Sequence, residues 1–396
     1  MAKIASWSDP AARRVREAEE RALAEEVARL SVVVDVRTRF AFADPRESWW
    51  HGQLADLVEA LDGLTDVARG GEFSTGVTPS KGWGVPKRAE FLRGVVANEA
   101  RRREAWNALA PAFAAGGKYA TPMPPPKEGL WPIGINPATG LFECEHEATR
   151  AAGEPPLSGF RADGVVDVRT GSGVVLTLLP GGITVIGSDG DERAARPAHP
   201  VRLSPFFIAR HELTVAQWRR IAGADPSPYV HPERDLLPVT DVNWHETTTI
   251  LGNYGLVLPT ESQWEYACRA GTTTPWWTGS NLASLEGAAQ VGLTDRSAWL
   301  GPRAITKSRP NPFGLHDTHG NVWEWCRDTA IGYPGYPRDG DGLREPIQAT
   351  GPVLRIMRGA AFDTDPMWSR SAFRGSVEPS RRSGGTGVRP ACSADP

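Results

Sequence analysis

The chain has 396 residues, enough for two domains of ordinary size. Its 44 Lys and Arg nearly balance 47 Asp and Glu, for a formal net charge of −3, so a general nucleic-acid or membrane-surface role has no electrostatic support. Fifteen tryptophans, 42 glycines and 34 prolines point to much irregular backbone, pinned by large rigid side chains rather than by long helices.

Residues 1–5 run straight into a charged segment with no apolar stretch behind them, which predicts no secretory signal and a cytoplasmic protein. The apolar runs, such as 173–179, fall far short of the roughly 20 residues a membrane helix needs. A helix is predicted over 10–30, with Ser8 and Asp9 as cap signals and Pro10 in its first turn. Val15, Ala18, Ala22, Val27 and Leu30 form its apolar stripe. A second is predicted over 46–61 (Trp50, Leu54, Leu57, Leu61) and a third over 86–109 (Phe91, Val95, Trp106). Residues 1–118 therefore read as a mainly helical region, whose apolar faces pack on one another or on a partner.

The proline-rich stretch 119–126 (YATPMPPP) reads as a linker, and 119–169 as a connecting segment. From 170 to 392 the elements are short and punctuated by glycine and proline. Strands are predicted over 174–179, 183–187 and 201–208, a helix over 214–221 behind the Thr214 cap, and an extended run over 239–244. A further helix over 262–269 follows Thr260, with Glu261 adding favourable charge at its start. Nothing over 271–352 is periodic, and such long loops need anchors such as buried tryptophans or bound ions. The fold class is α+β. Cys144, Cys268, Cys326 and Cys392 form no CxxC pair, which argues against a zinc site or disulfide framework and for buried, reduced thiols.

Three clusters stand out: LPTESQWEYA at 258–267; NPFGLHD at 311–317 running into GNVWEW at 320–325; and RIMRG at 355–359, followed by RSAFR at 370–374 and GVR at 387–389. With Gly181, Gly182 and Gly187, IARHELTVAQW at 208–218 and PVTDVNW at 238–244, these resemble the formylglycine-generating enzyme family, or FGE-sulfatase domain. The resemblance covers about 170–391 and implies a C-type-lectin-like fold with little regular secondary structure. SWWHGQL at 48–54, GWGV at 82–85 and 129–134 look like the region before this domain in some bacterial multidomain proteins, some of which carry a kinase. No kinase glycine loop, HRD or DFG is present here.

The family's chemistry resembles a copper-dependent oxidation in which two thiolates near the C-terminus hold Cu(I). By resemblance the pair belongs between Gly359 and Arg374, a segment without cysteine; Cys392 lies beyond, in a tail, and Met367 alone is a weak soft ligand. No copper is expected. A sister activity, sulfoxide synthesis with non-haem iron, takes ligands from an HxxxHxE helix; His51 and His146 do not form one. The resemblance also implies a structural calcium held by Asp317, the carbonyls of Gly320 and Val322, and Glu324. The alternative is that Asn321 and Glu324 hydrogen-bond loop backbone. A second family calcium site would fall near Gln290 and Val291, with Asp295 as the nearby carboxylate. Trp264, Trp323 and Trp325 read as core, Trp276 and Trp277 as groove lining or structure, and Arg381 and Arg382 as a solvated loop.

Without redox ligands the domain reads as a non-catalytic binding scaffold that displays about 360–386 to a protein or other macromolecular ligand. Arg358, Gly359, Arg370, Ser371, Ala372, Arg374, Pro379 and Gly387 match the family framework, and the positions between them look idiosyncratic. Phe362, Trp368 and Phe373 are candidate aromatic anchors and Asp363 and Asp365 polar contacts, joined by Thr364, Ser376, Val377, Ser383 and Thr386. One such scaffold is the variable protein of a diversity-generating retroelement, in which template adenines are mutated. Apart from Trp368, these candidates are reachable from an asparagine codon in that way; Met367, Trp368 and Glu378 are not. The alternatives are an oxidase or related enzyme acting on protein cysteine, disfavoured by the missing cysteine pair, and a scaffold whose N-terminal helices recruit a partner. No nucleic-acid or membrane partner is expected.

Overall fold

The computed structural model describes residues 85–190, 195–292, 301–333, 337–345 and 353–394, with isolated helical positions at Arg21, Glu25, Ala28 and Leu54. Apart from those positions, the helices predicted over 10–30 and 46–61 lie outside the described residues, as does Asp295. The chain divides into two compact units, Met1–Ala89 (with Pro396) and Glu90–Asp395. No helix among the described residues is long and apolar enough to cross a membrane.

Helix α1 spans Val85–Ala108 and α2 Ala110–Ala115. Trp106 at the end of α1 is buried edge-on to Phe142, with ring centroids 4.9 Å apart, and Phe113 of α2 stacks on Tyr119 at 4.2 Å. The side chains of Phe91 and Val95 lie outside the described residues. Tyr119 donates its hydroxyl to the Leu178 carbonyl and accepts from the Phe142 amide. Strands β1 (Leu130–Ile135) and β2 (Phe142–His146) follow, and both join the main sheet. The connecting segment expected over 119–169 is thus part of the folded domain. Its strands escape a pattern search because Glu143 and Glu145 read as solvated yet are buried. Glu143 binds Arg210 at 2.9 and 3.0 Å and Asn136 at 2.7 Å; Glu145 accepts from the Gly173 and Leu157 amides.

The main sheet runs β1-β2-β3-β6-β11, antiparallel throughout, with β3 at Val175–Leu179, β6 at Phe206–Ala209 and β11 at Ala391–Ser393. β3 and β6 are buried along their whole length, which explains their apolar character, broken in β3 only by the buried Thr177. Cys392 is therefore no tail residue: it is buried in β11, opposite Phe207. β4 (Gly182–Ile186) and β5 (His199–Leu203) form a separate two-stranded sheet. The single strand expected over 201–208 is split into β5 and β6 at Pro205, which has no N–H to give a ladder.

A third sheet, β10-β7-β8-β9, contains β7 (Trp323–Thr329), β8 (Arg355–Arg358), β9 (Gly375–Val377) and β10 (Thr386–Gly387), with β10 parallel to β7. β7 falls in the stretch without periodicity, because Glu324 and Asp328 are buried rather than facing water. Helices α3 (Val215–Ala222) and α5 (Glu261–Arg269) each start with a complete capping box, Thr214 with Gln217 and Thr260 with Gln263. Between them α4 (Trp244–Gly252), capped by Asn243, was not legible: it is rich in threonine, a poor helix former. Thr248 and Thr249 turn their hydroxyls back onto the carbonyls of Trp244 and His245.

Helix α5 ties the layers together. Glu261 accepts from Arg374 at 2.6 and 2.8 Å; Glu265, one turn on, accepts from Arg358 and from Arg269 at 2.8 Å. Both carboxylates are fully buried, so removing one strands a guanidinium in the interior. Glu265→Ala should cost about 3–5 kcal/mol in chemical denaturation. Arg269→Ala, which leaves Glu265 its bond to Arg358, should cost about 1–2 kcal/mol. Asp328 accepts from the amides of Glu261 and Arg344, and burial beside Glu261 raises its carboxyl from 3.8 to about 7. The folded state therefore favours the protonated acid. Its contribution to stability is full below pH 3.8 and is lost as pH rises through about 7. Asp328→Asn should remove this slope from unfolding free energies measured across that window.

Candidate functional site

The segment expected to bind ligand leaves β8 at Gly359 and Ala360, both with positive φ (95° and 67°). It makes a 3₁₀ turn over Pro366–Ser369, capped by Asp365, whose Oδ1 accepts the Met367 amide. It then returns through framework residues. Ser371 donates its amide to the Pro275 carbonyl, and the carbonyls of Ser371 and Phe373 both accept from Arg358. A buried arginine thus fixes the base of a loop whose tip faces water.

On that tip, Trp368 stacks on Phe373 with centroids 5.7 Å apart and planes 8° from parallel, and remains 49% exposed. Phe373 in turn lies 6.1 Å from Trp323. Trp323, predicted as core, is only half-buried, unlike Trp264 and Trp325. The β7–β8 ladder ends at Glu324, one residue away, and the neighbours Gly375 and Gly385 have no side chain to cover the ring. A Cβ on Gly375 would lie 3.0 Å from the Trp323 ring. The three rings form one aromatic face, and sequence reasoning missed Trp323 as a member. Two flanking glycines (375 and 385) were the available signal.

Phe362 and Ser383 form a second patch around Tyr229, also missed. Phe362 meets Tyr229 edge-on at 6.0 Å, and the Tyr229 hydroxyl donates to the Gly384 carbonyl. Asp363 is exposed beside them, and burial, with Asp363 next, raises the Tyr229 hydroxyl above its ordinary range. Thr364 is half-buried, its hydroxyl accepting the Ala361 amide. Ser376 is exposed and Val377 half-buried on the edge strand β9. Thr386 departs from expectation: it is 4% exposed in β10, its hydroxyl against the Met357 sulfur, because pairing with Trp323 turns it inward. Exposed Ile183 and Val185 of β4 join Arg370, Ala372 and Pro275 around a cavity of about 690 Å³. Their i, i+2 spacing on a short strand was the signal for it. Trp276 is buried, donating to the Ser369 hydroxyl, while Trp277 is half-buried. Arg382 pairs with Glu246 at 2.7 Å.

The expected cation loop has left-handed residues at Asp317, Gly320 and Asn321. A Cβ on Gly320 would lie 2.0 Å from the Gln290 carbonyl oxygen, so only glycine fits. Glu324 binds Arg389 at 2.7–3.0 Å and accepts from the Trp264 indole at 2.6 Å. Asn321 bonds the Arg303 backbone and Glu212. Asp317 Oδ2 is buried without a hydrogen-bond partner among the described residues, and burial raises this carboxyl to about 6. Burial, with Asp317 and Glu324 next, pushes Glu212 well above the usual carboxylate range. No group of three or more His, Cys, Asp or Glu side chains among the described residues converges on one metal position. Asp317 and loop carbonyls suit a hard cation, whereas the oxygens of Glu324 are taken by Arg389 and Trp264. All four cysteines are buried and unbridged, and burial raises the Cys268 and Cys392 thiols to about 11.

A family model for the sulfatase-modifying factor enzyme 1-like domain matches residues 167–394, more than half of the chain, and the protein belongs to this family. It is similar to the formylglycine-generating enzyme of Streptomyces coelicolor, 31% identical over 204 residues, or 48% of this chain and 62% of that relative's length. The mouse formylglycine-generating enzyme is 26% identical over 358 residues, covering 84% of this chain and 90% of the relative. Among solved structures, Treponema denticola variable protein 1 superposes with a TM-score of 0.50 at 22% identity, over 57% of this chain and 98% of that one, a likeness of fold.

Gly320→Ala should destabilise the domain by about 3 kcal/mol or more, since the added methyl meets backbone at a left-handed position. Thermal unfolding of the variant checks this.

Proposed function

We propose that this chain is a non-catalytic binding protein that presents 362–383 to a protein or other macromolecular ligand, with Trp368, Phe373 and Trp323 as anchors. The observation that carries the reading is the half-exposed Trp368, stacked on Phe373 above a loop base fixed by buried Arg358. Rigid aromatic surface on a pre-ordered support gives contact area at little entropic cost. Asp363, Asp365, Ser376 and Ser383 supply a polar rim. The absence of cysteine between Gly359 and Arg374 supports recognition over oxidation. Buried, unbridged thiols suit a reducing compartment, and we place the protein in the cytoplasm.

Trp368→Ala should cost no more than about 1 kcal/mol of stability, because the side chain is half in water. It should also weaken capture of the wild-type ligand by about tenfold or more, as expected of an aromatic anchor. Quantitative comparison of the proteins and glycans retained by immobilised wild-type and variant protein tests this. Identical retained sets would sink the reading. Its retroelement form predicts a nearby reverse transcriptase and a near-copy of the DNA encoding 355–391, differing at adenines; finding neither leaves a constant binding module.

The buried Asp317 oxygen, without a partner among the described residues, supports a structural calcium at the 317–324 loop. Asp317 and the carbonyls of Gly320 and Val322 would hold it, with Glu324 restrained by Arg389. Calcium would supply the positive charge that Arg389 alone does not give to Glu212, Asp317 and Glu324. Millimolar calcium should raise the unfolding temperature of the wild type but not of Asp317→Ala. The effect should fade as pH drops through about 6, where Asp317 takes up its proton. An unchanged unfolding temperature would remove calcium from the account.

A further inference from the structure

A second cavity, of about 260 Å³, is lined by Arg196, Ile331, Tyr333, Ile356, Arg374 and Ser376. It is distinct from the aromatic face and shares Arg374 and Ser376 with the recognition segment. The Tyr333 ring is clamped between two guanidiniums, Arg374 at 4.3 Å and Arg344 at 4.7 Å from its centroid. Its hydroxyl is buried and has no hydrogen-bond partner among the described residues. A phenol is a good donor, and leaving it unpaired in the interior is costly unless something else accepts its proton.

Among the described residues, the charges around this wall do not balance. Glu261, Glu265 and Asp328 face the guanidiniums of Arg269, Arg344, Arg358 and Arg374. Arg344 is 1% exposed and bonds to the Ser262 hydroxyl, the Gly342 carbonyl and the His199 ring, with no carboxylate in ion-pair contact among the described residues. Arg196, exposed on the cavity's opposite lip, anchors its Nε on the Gly190 carbonyl and adds a further positive charge. An excess of buried positive charge beside an unpaired hydroxyl favours an anion.

We propose that this cavity is a carboxylate-binding site, with Arg196, Arg374 and the Tyr333 and Ser376 hydroxyls as its polar groups. The planar anion matches guanidinium geometry. The apolar walls of Ile331 and Ile356 suit the methylenes of an aspartyl or glutamyl chain better than the oxygens of a phosphate. The carboxylate comes either from a free dicarboxylic acid or from an acidic side chain of a polypeptide.

Calorimetric titration of the full chain with succinate and with an acetyl-Gly-Glu-Gly-amide peptide separates these sources; succinamide and the Gln peptide are the uncharged controls. Saturable binding of either acid is expected, absent from its amide and weakened about tenfold or more in Arg196→Ala, the loss of one charge-assisted contact. Ser376→Ala should weaken it less. Saturation by the peptide alone assigns a polypeptide side chain; saturation by succinate alone assigns a free acid. No saturation by either up to about 10 mM, equal binding of an amide, or full affinity in a folded Arg196→Ala protein overturns the proposal.

Discussion

Glu261 and Glu265 lie one turn apart on α5, fully buried, and hold Arg269, Arg358 and Arg374. The loop from β8 to β9 depends on this arrangement. Arg358 sits in the last position of β8 and reaches the carbonyls of Ser371 and Phe373, so the loop between them starts and ends on the same buried cation. Arg374 enters β9 still bound to Glu261. In a medium that solvates charge poorly, these groups are held by their buried partners. The loop base is thereby fixed while its tip is free to vary in composition.

That division lets one framework carry different segments between Gly359 and Arg374. Stability resides in arginines, glycines and capping boxes whose positions are set by buried charge and by left-handed backbone. The stretch suspended between Gly359 and Arg374 contributes little to the core beyond Pro366, Ser369, Ser371, Ala372 and the alanines next to Gly359. Its side chains can therefore be exchanged without disturbing α5 or β8. In this chain they are aromatic, acidic and small, and two of the aromatics join Trp323 in a single face.

Much of the fold was legible in the sequence. Both capping boxes, the α1 span and the mainly apolar runs of β3 and β6 carry their own signals. The failures share a cause: buried charge disguised as surface. Glu143 and Glu145 hid β2, Glu324 and Asp328 hid β7, and each acid is inside because a specific partner distant in sequence meets it there. Arg210, for instance, is 67 residues from Glu143. The residues nominated for recognition lie where the family framework brackets them, and all but Thr386 are at least partly exposed. Thr386 was misplaced because its burial follows from a parallel pairing with Trp323 that local pattern does not encode. The same pairing brings Gly385 beside Trp323 and leaves that ring half-open.

The central claim is that the loop between Gly359 and Arg374 recognises a ligand and does not oxidise a thiol. The most direct measurement incubates the reduced protein with Cu(I), oxygen and a cysteine-containing peptide, then follows the peptide by mass spectrometry. The account predicts a peptide that keeps its thiol and shows no copper-dependent aldehyde. Conversion of the cysteine to an aldehyde by the protein would contradict it.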